Sequence, residues 1–257
     1  MKFDDLDGRM RVFETAHDHC ALPDIFLVAR IDGRNFTRLT REVHKFDAPF
    51  DSRFRDMMVT TTEHLMRCGF RIVYGFTQSD EISLLFHPHE DMFGRKLRKY
   101  VSILAGEASA TFALLLGAHA AFDCRISQLP NAGLVSDYFR WRSEDAYRNA
   151  LNGWCYWTLR REGSDVAHAT QQLTGMSVAN KNELLFQHGI NFNDLPNWQK
   201  RGIGLHWETF DKPATGAQSE QAVPGRRNQI KVDYELPMRA DYSAFVLARL
   251  QEVLNTP

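Results

Sequence analysis

Ile72-Val73-Tyr74-Gly75-Phe76-Thr77-Gln78-Ser79-Asp80-Glu81-Ile82-Ser83-Leu84-Leu85-Phe86 is the stretch that decides the fold. Two apolar runs rich in β-branched and aromatic residues flank the polar Thr77 to Glu81, a pattern that predicts two antiparallel strands and a functional turn. Upstream, Ile25 to Ile31 reads as a buried strand ending at Asp32-Gly33. Between them Phe50 to Cys68 predicts a helix. Pro49 precedes it, Asp51 or Ser52 caps it, Met57, Met58, Leu65 and Met66 give it an apolar side, and Gly69 follows its end. Downstream, Leu97, Tyr100, Val101, Leu104, Ala108, Phe112 and Leu115 recur at spacings of three and four, predicting a long amphipathic helix over 93–117. A strand over Ala120 to Ile126, running on toward Pro130, completes the series. The order β-α-β-β-α-β predicts an α+β, ferredoxin-like fold: a four-stranded antiparallel sheet with both helices on one face.

Nucleotide-handling "palm" domains use this arrangement, but the fold by itself assigns no activity. Residues 134–188 read as helical, with breaks at Gly163-Ser164 and Gly175. Residues 203–235 hold strand-like pieces around an Ala/Gly/Ser/Gln-rich stretch at 214–225, expected to be a mobile loop, and Asp241 to Leu254 closes as a helix. The expected organisation is a palm-like core over 1–133, with a helical region and C-terminal strands over 134–257 packed on it as one compact unit. A chain of 257 residues is long enough to bury roughly 70–75% of its unfolded surface. With 44% hydrophobic and 25% charged residues, collagenous and low-complexity classes are excluded.

A net charge of -1 excludes a histone-like binder, so an anionic partner must be met by local patches. Cys20, Cys68, Cys124 and Cys155 form no C-x-x-C pair and no disulfide framework, which points to a reducing compartment. Asp4 and Asp5 interrupt any leader, and no run approaches 18 consecutive apolar residues, so a cytoplasmic protein without membrane contact is expected.

The strand exit Asp32-Gly33-Arg34-Asn35-Phe36 joins a carboxylate to a backbone that a phosphate or metal can approach. Because the first strand lies beside the hairpin in this topology, Asp32 and Asp80 can converge. Two aspartates plus a backbone carbonyl are hard oxygen ligands suited to Mg²⁺. Equally, Asp32 can be a turn-former and Asp80 a solvated hairpin acid. Arg95-Lys96-Leu97-Arg98-Lys99, at a helix start, is either an anion site or an ordinary solvated face. Arg140, Arg142, Arg148, Arg160 and Arg161 interleave with Tyr138, Phe139, Trp141, Tyr147, Trp154, Tyr156 and Trp157, which either grip RNA or pack the core. Lys181, within Asn180-Lys181-Asn182-Glu183, either meets a triphosphate or stands exposed beside a helix cap.

Arg30 to Phe36, Gln78 to Ser83, Lys99-Tyr100, Phe122-Asp123-Cys124-Arg125 and Asn180 to Phe186 together resemble, in order, the tRNA-His guanylyltransferase superfamily, specifically its guanylyltransferase-like 3′-5′ reverse polymerases. The resemblance implies a palm-like core, usually in a homotetramer, that adds nucleotides to the 5′ end of tRNA. It further implies that Asp32, the Gly33 carbonyl and Asp80 bind two Mg²⁺, with Glu81 assisting catalysis. Arg34, Ser79, Lys181 and the Asn35-Phe36 backbone then meet the nucleoside triphosphate. Lys96, Lys99 and Arg125 fall with the tRNA contacts, as do Tyr147, Arg148 and Asn149. ATP or GTP activates the 5′-monophosphate end, and the 3′-hydroxyl of an incoming NTP then attacks it.

Two departures stand out. Tyr147-Arg148-Asn149-Ala150 replaces His-x-Asn-Asn of the guanylyltransferases proper, and Ala48 replaces a lysine before Pro49. Template-dependent repair of 5′-truncated tRNA fits them better than dedicated guanosine addition. Two competitors remain: a diguanylate-cyclase-like nucleotidyl cyclase, whose Gly-Gly-Asp/Glu-Glu-Phe turn is absent, and a non-catalytic tRNA-binding module, against which intact Asp32 and Asp80 argue.

Overall fold

The structure, a computed structural model, describes residues 2–212 and 225–254. Helix α1 (Phe3–Thr15), which the sequence reading did not anticipate, buries none of its residues. Strand β1 (Phe26–Gly33) runs two residues beyond the apolar run, through Asp32 and Gly33. A single helical turn, α2 (Phe36–Arg38), passes into a π-helical turn over Leu39–Val43. Helix α3 (Ser52–Leu65) is shorter than predicted. Asp51 fixes its start by accepting from the Arg53 N–H at 2.7 Å, and Met66 caps its end.

The hairpin forms as β2 (Ile72–Gln78) and β3 (Glu81–Phe86), leaving Ser79 and Asp80 as the turn. Helix α4 (Leu97–Leu116) starts later than the spacing suggested, because Phe93, Gly94 and Arg95 adopt positive φ of 55°, 58° and 58°. Their backbone instead meets an upstream segment: Ala21 N–H donates to the Arg95 carbonyl and Leu97 N–H to the His19 carbonyl. By length and composition α4 could cross a membrane, yet Tyr100, Leu104, Ala108 and Phe112 are buried.

Strand β4 (Phe122–Leu129) precedes α5 (Ala132–Arg161), and α6 (Val166–Leu173) and α7 (Val178–Gln187) follow the two predicted breaks. Then come α8 (Asn197–Arg201), β5 (Ile203–Lys212), β6 (Gly225–Asp233) and α9 (Arg239–Leu254). The loop expected over 214–225 lies outside the described residues, except Gly225, which opens β6.

Among the described residues the six strands form one sheet in the order β4-β1-β3-β2-β5-β6, with every neighbouring pair antiparallel. Strand alternation sends Leu27, Ala29 and Ile31 into one core with Met58 and Leu65 of α3 and Leu104 and Phe112 of α4. Val28 and Leu85 face the other way, against Val135 and Phe139 of α5 and Tyr242 and Val246 of α9. The second half of α5 packs Leu151, Cys155 and Leu159 against Ala169, Leu173 and Leu185 from α6 and α7. One long helix therefore joins the sheet to a separate helical cluster.

Candidate active site

β1 and the hairpin meet where chemistry was expected. Asp32 lies opposite Glu81 in the β1–β3 register, and one residue further the Gly33 N–H donates to the Asp80 carbonyl at 3.0 Å. N–H and C=O of a strand residue share an edge, so the Gly33 carbonyl faces the same turn. Among the described residues the return bond from Asp80 N–H is not made; that N–H turns to its own carboxylate. Ser79, at a φ of 49°, donates its hydroxyl to the Asp80 carboxylate at 3.0 Å. Burial pushes the Asp80 carboxyl up from the ordinary aspartate range, and the negative charge of Asp32 adds to the rise. Asp32 and Asp80, near enough for their charges to act on each other, and the Gly33 carbonyl beside them are a hard-oxygen set that a divalent cation fits. Among the described residues no larger cluster of three or more His, Cys, Asp or Glu exists to compete for one.

Glu81 is placed differently. Its side chain is 4% exposed and sits under α5, where Arg142 donates Nε to Oε1 at 2.6 Å and Nη2 to Oε2 at 2.8 Å. Arg30 Nε lies 2.9 Å from the same Oε2, at an angle that makes an ion pair but no hydrogen bond. Burial pushes the Glu81 carboxyl up, against the pull of Arg142 and Arg30. Both oxygens are thus committed to guanidinium groups. Arg30 also reaches Asp32 at 3.3 Å, so Glu81 acts on Asp32 through a shared arginine. Arg125, expected among the tRNA contacts, lies on β4 beside the carboxylates, 3.1 Å from Asp123 and 3.8 Å from Asp32.

Asp80 and Ser79 also line a cleft of about 160 Å³, with Gln78 and Phe36 beside them. Its other walls are the 46–51 segment, Arg41, Arg55, Trp157 and Trp198. Asn35 holds a left-handed φ of 61° as the N-cap of α2, while the Phe36 ring is buried against Phe112 and Phe122. Only the Phe36 backbone can therefore face a ligand. Arg34 is exposed, its N–H bonded to the Ala121 carbonyl at 2.8 Å. Asp32, Gly33, Arg34, Asn35 and Lys181 are not in the cleft wall. Lys181 lies on α7, where its carbonyl accepts from the Cys155 thiol. Trp198 and Arg41 escaped the sequence reading because they converge from separate elements with no shared spacing.

The basic start of α4 does not offer an open anion site. Asp18 occupies it, pairing with Lys96 at 3.0 Å and with Arg98. Arg95 donates to the Ile25 carbonyl at 2.6 Å, and Lys99 Nζ lies 5.8 Å from the centre of the Phe93 ring. On α5, Arg148 and Asn149 both bond Asp145, at 2.7 and 3.2 Å, and Tyr147 packs edge-on to Phe192. Most of the interleaved aromatics are core: Tyr138 and Phe139 are buried and Trp154 and Tyr156 pack on the helical cluster, whereas Trp141 is 51% exposed.

This architecture has counterparts among known enzymes. Residues 7–130 match the family described as tRNAHis guanylyltransferase and residues 133–240 match its C-terminal domain. A probable tRNA(His) guanylyltransferase of Mus musculus is 32% identical over 217 residues, covering 80% of this chain and 72% of the relative. The tRNA(His) guanylyltransferase of Debaryomyces hansenii is 30% identical over 237 residues, covering 86% and 89%. A bacterial tRNA(His) guanylyltransferase (Thg1)-like protein solved in complex with ATP superposes with a TM-score of 0.75 at 25% identity, covering 95% of this chain and 99% of that one. A complex with GTP under the same description gives 0.74 at 26% identity, covering 96% and 99%. These matches define the protein as a nucleotidyltransferase. The chain belongs to the tRNA(His) guanylyltransferase family.

Proposed function

We propose that the protein is a template-dependent 3′-5′ nucleotidyltransferase that repairs 5′-truncated tRNA, adding nucleotides after ATP- or GTP-dependent activation of the 5′ end. The observation that carries this reading is the Gly33–Asp80 bond, which brings the end of the strand bearing Asp32 against Asp80, itself in the cleft wall. Asp32, the Gly33 carbonyl and Asp80 would hold two Mg²⁺, which when bound lower the pKa of the attacking hydroxyl and stabilise the leaving pyrophosphate. Ser79 and the Asn35-Phe36 backbone orient the triphosphate, with Arg34 and Lys181 at its periphery. Glu81 is a positioning residue, holding Arg30 against Asp32. Lys99 and Arg125 face tRNA phosphates, and Lys96 contributes only as far as Asp18 releases it.

The sheet order β4-β1-β3-β2, with α3 and α4 on one face, supports a ferredoxin-like palm over 1–133 and an appended region over 134–257. Relatives solved with ATP and with GTP support nucleotides as substrates, and the family name supports tRNA. The reading carries a cytoplasmic homotetramer, supported by four free cysteines and by the exposed Phe3, Leu6, Met10 and Phe13 of α1. The test is to supply a 5′-truncated, 5′-monophosphorylated tRNA with Mg²⁺, ATP and all four NTPs, then sequence the 5′ ends. Ends restored to the complement of the 3′ strand support it; a cyclic product from GTP alone, or tRNA binding without extension, rejects it.

A further inference from the structure

We infer that Arg41 is a further contact for the phosphate chain of the nucleotide in the cleft, added to Ser79 and the Asn35-Phe36 backbone, an inference that rests on the cleft being a nucleotide site. The ionisable groups in its wall are Asp47, Asp51 and Asp80 against Arg41 and Arg55. A nucleoside triphosphate is a polyanion: the Mg²⁺ proposed at Asp32 and Asp80 would meet its reacting end, and a cation in the wall would meet oxygens that the metal does not reach.

Arg55 is already engaged: it pairs with Asp56 at 2.7 Å and lies over the rings of Trp198 and Tyr234, at 4.8 and 5.4 Å from their centres. The other arginines of this segment are neutralised in the same way, Arg38 by Glu42 at 3.5 Å and Arg53 by Asp51 at 2.5 Å. Arg41 has no carboxylate partner among the described residues. Its guanidinium rests on the Trp157 ring, 5.1 Å from the centre. Stacking holds one face of the guanidinium plane and leaves the N–H fork at its edge for bidentate contact with phosphate oxygens.

The backbone that presents Arg41 points the same way. Leu39–Val43 is a π-helical turn, closed by His44 N–H donating to the Leu39 carbonyl at 3.0 Å. Such turns are less stable than α-helix and concentrate at functional sites. Here the turn places Arg41 on the cleft wall while Arg38 and Glu42 pair in solvent.

The experiment measures binding of ATP, AMP and adenosine, each with Mg²⁺, to the full chain and to Arg41→Ala, Arg41→Lys and Arg38→Ala, with circular dichroism as the fold control. Losing charge-assisted hydrogen bonds should weaken ATP about 10–100-fold in Arg41→Ala, weaken AMP less and leave adenosine unchanged. Arg41→Lys should fall between, and Arg38→Ala should match the parent. Equal loss of ATP and adenosine would overturn the inference, since Arg41 would then only shape the base pocket. So would unchanged ATP binding in Arg41→Ala. Loss of 5′-monophosphorylated tRNA with ATP binding intact would assign Arg41 to RNA and overturn it too. A parent protein that binds none of the three nucleotides rejects the nucleotide cleft itself, a failure distinct from that of Arg41 alone.

Discussion

The Gly33 N–H donates to the Asp80 carbonyl at 3.0 Å, and this bond ties the exit of the first strand to the turn of the hairpin. Without it Asp32 and Asp80 would belong to two independent loops. With it, their relative position is set by the register of the central strand pair, in which Asp32 faces Glu81.

Asp32→Ala and Asp80→Ala should each reduce both 5′ activation and nucleotide addition to background, because one oxygen cluster serves both transfers. Neither variant should unfold. Asp80 already carries the cost of burial beside a like charge, so removing either carboxylate relieves repulsion. Single-turnover assays with 5′-monophosphorylated and 5′-triphosphorylated tRNA separate the steps; loss of one step alone would show that they use different sites.

Gly33→Ala tests the close approach at the strand exit. A Cβ at Gly33 would lie 2.5 Å from the Phe36 ring, which is itself 2% exposed and wedged between Phe112 and Phe122. The ring cannot swing away, so the strand end must shift. We expect destabilisation of about 1–3 kcal/mol in urea unfolding, with loss of activity. A variant as stable and active as the parent would show that the strand exit yields freely.

The sequence made the strand–hairpin relationship legible because apolar runs and a polar turn encode it locally. Asp32 and Asp80 followed from that topology. Other features depend on contacts that no spacing records. The predicted start of α4 failed because Phe93, Gly94 and Arg95 take left-handed backbone to pair with the segment around His19 and Ala21. The basic run looked open because Asp18, its partner, is distant in sequence. The resemblance implied that Glu81 assists catalysis, but as the first residue of β3 its side chain points under α5 to Arg142, a contact that no local spacing records.

Glu81→Ala should leave Arg142 with Asp145 alone, at 3.1 Å, and Arg30 with Asp32 alone, at 3.3 Å, beneath α5. Breaking a buried pair from one side costs about 3–5 kcal/mol, more than the pair itself contributes. The double variant Glu81→Ala/Arg142→Ala should recover part of that loss, which denaturant unfolding of the four proteins would measure. Strictly additive effects would mean that the two residues do not share an energetic contact.

Neutralising Lys96 and Lys99 together should lower the salt dependence of tRNA binding, and the structure attributes the change to Lys99. Lys99→Ala should reduce the slope by about one contact, whereas Lys96→Ala should leave it nearly unchanged. Hydrogen bonds from Arg98 and Lys96 hold the Asp18 carboxyl down to about 2, below its ordinary 3.8. A depressed folded pKa means that the clamp contributes fully above pH 3.8 and is lost as pH falls through about 2. Asp18→Asn should remove that part of the acid sensitivity in pH-dependent unfolding. Equal slopes for both lysine variants would show that Asp18 does not shield Lys96.

Where the guanylyltransferase pattern breaks, the proposed reading expects base pairing to choose the nucleotide. Adding guanosine opposite a base that cannot pair requires the protein to hold the nucleotide by its own contacts. Here Tyr147 packs against Phe192, Ala150 is buried, and Arg148 and Asn149 are both spent on Asp145. Arg148 and Asn149 each give one hydrogen bond to Asp145, and the Tyr147 hydroxyl, which makes none among the described residues, stands alone where the family pattern sets a histidine. Pairing with the opposite acceptor strand can supply selection instead, since a mispaired nucleotide loses hydrogen bonds and misplaces its 3′-hydroxyl relative to the 5′ end. Changing the 3′-strand base opposite the missing position should therefore switch the incorporated nucleotide to its Watson–Crick complement, whichever base is used. Sequencing of extended 5′ ends on four matched tRNAs checks this. Guanosine incorporated regardless of the opposing base would mean that Arg148 or Asn149 leaves Asp145 during the reaction to select the nucleotide directly.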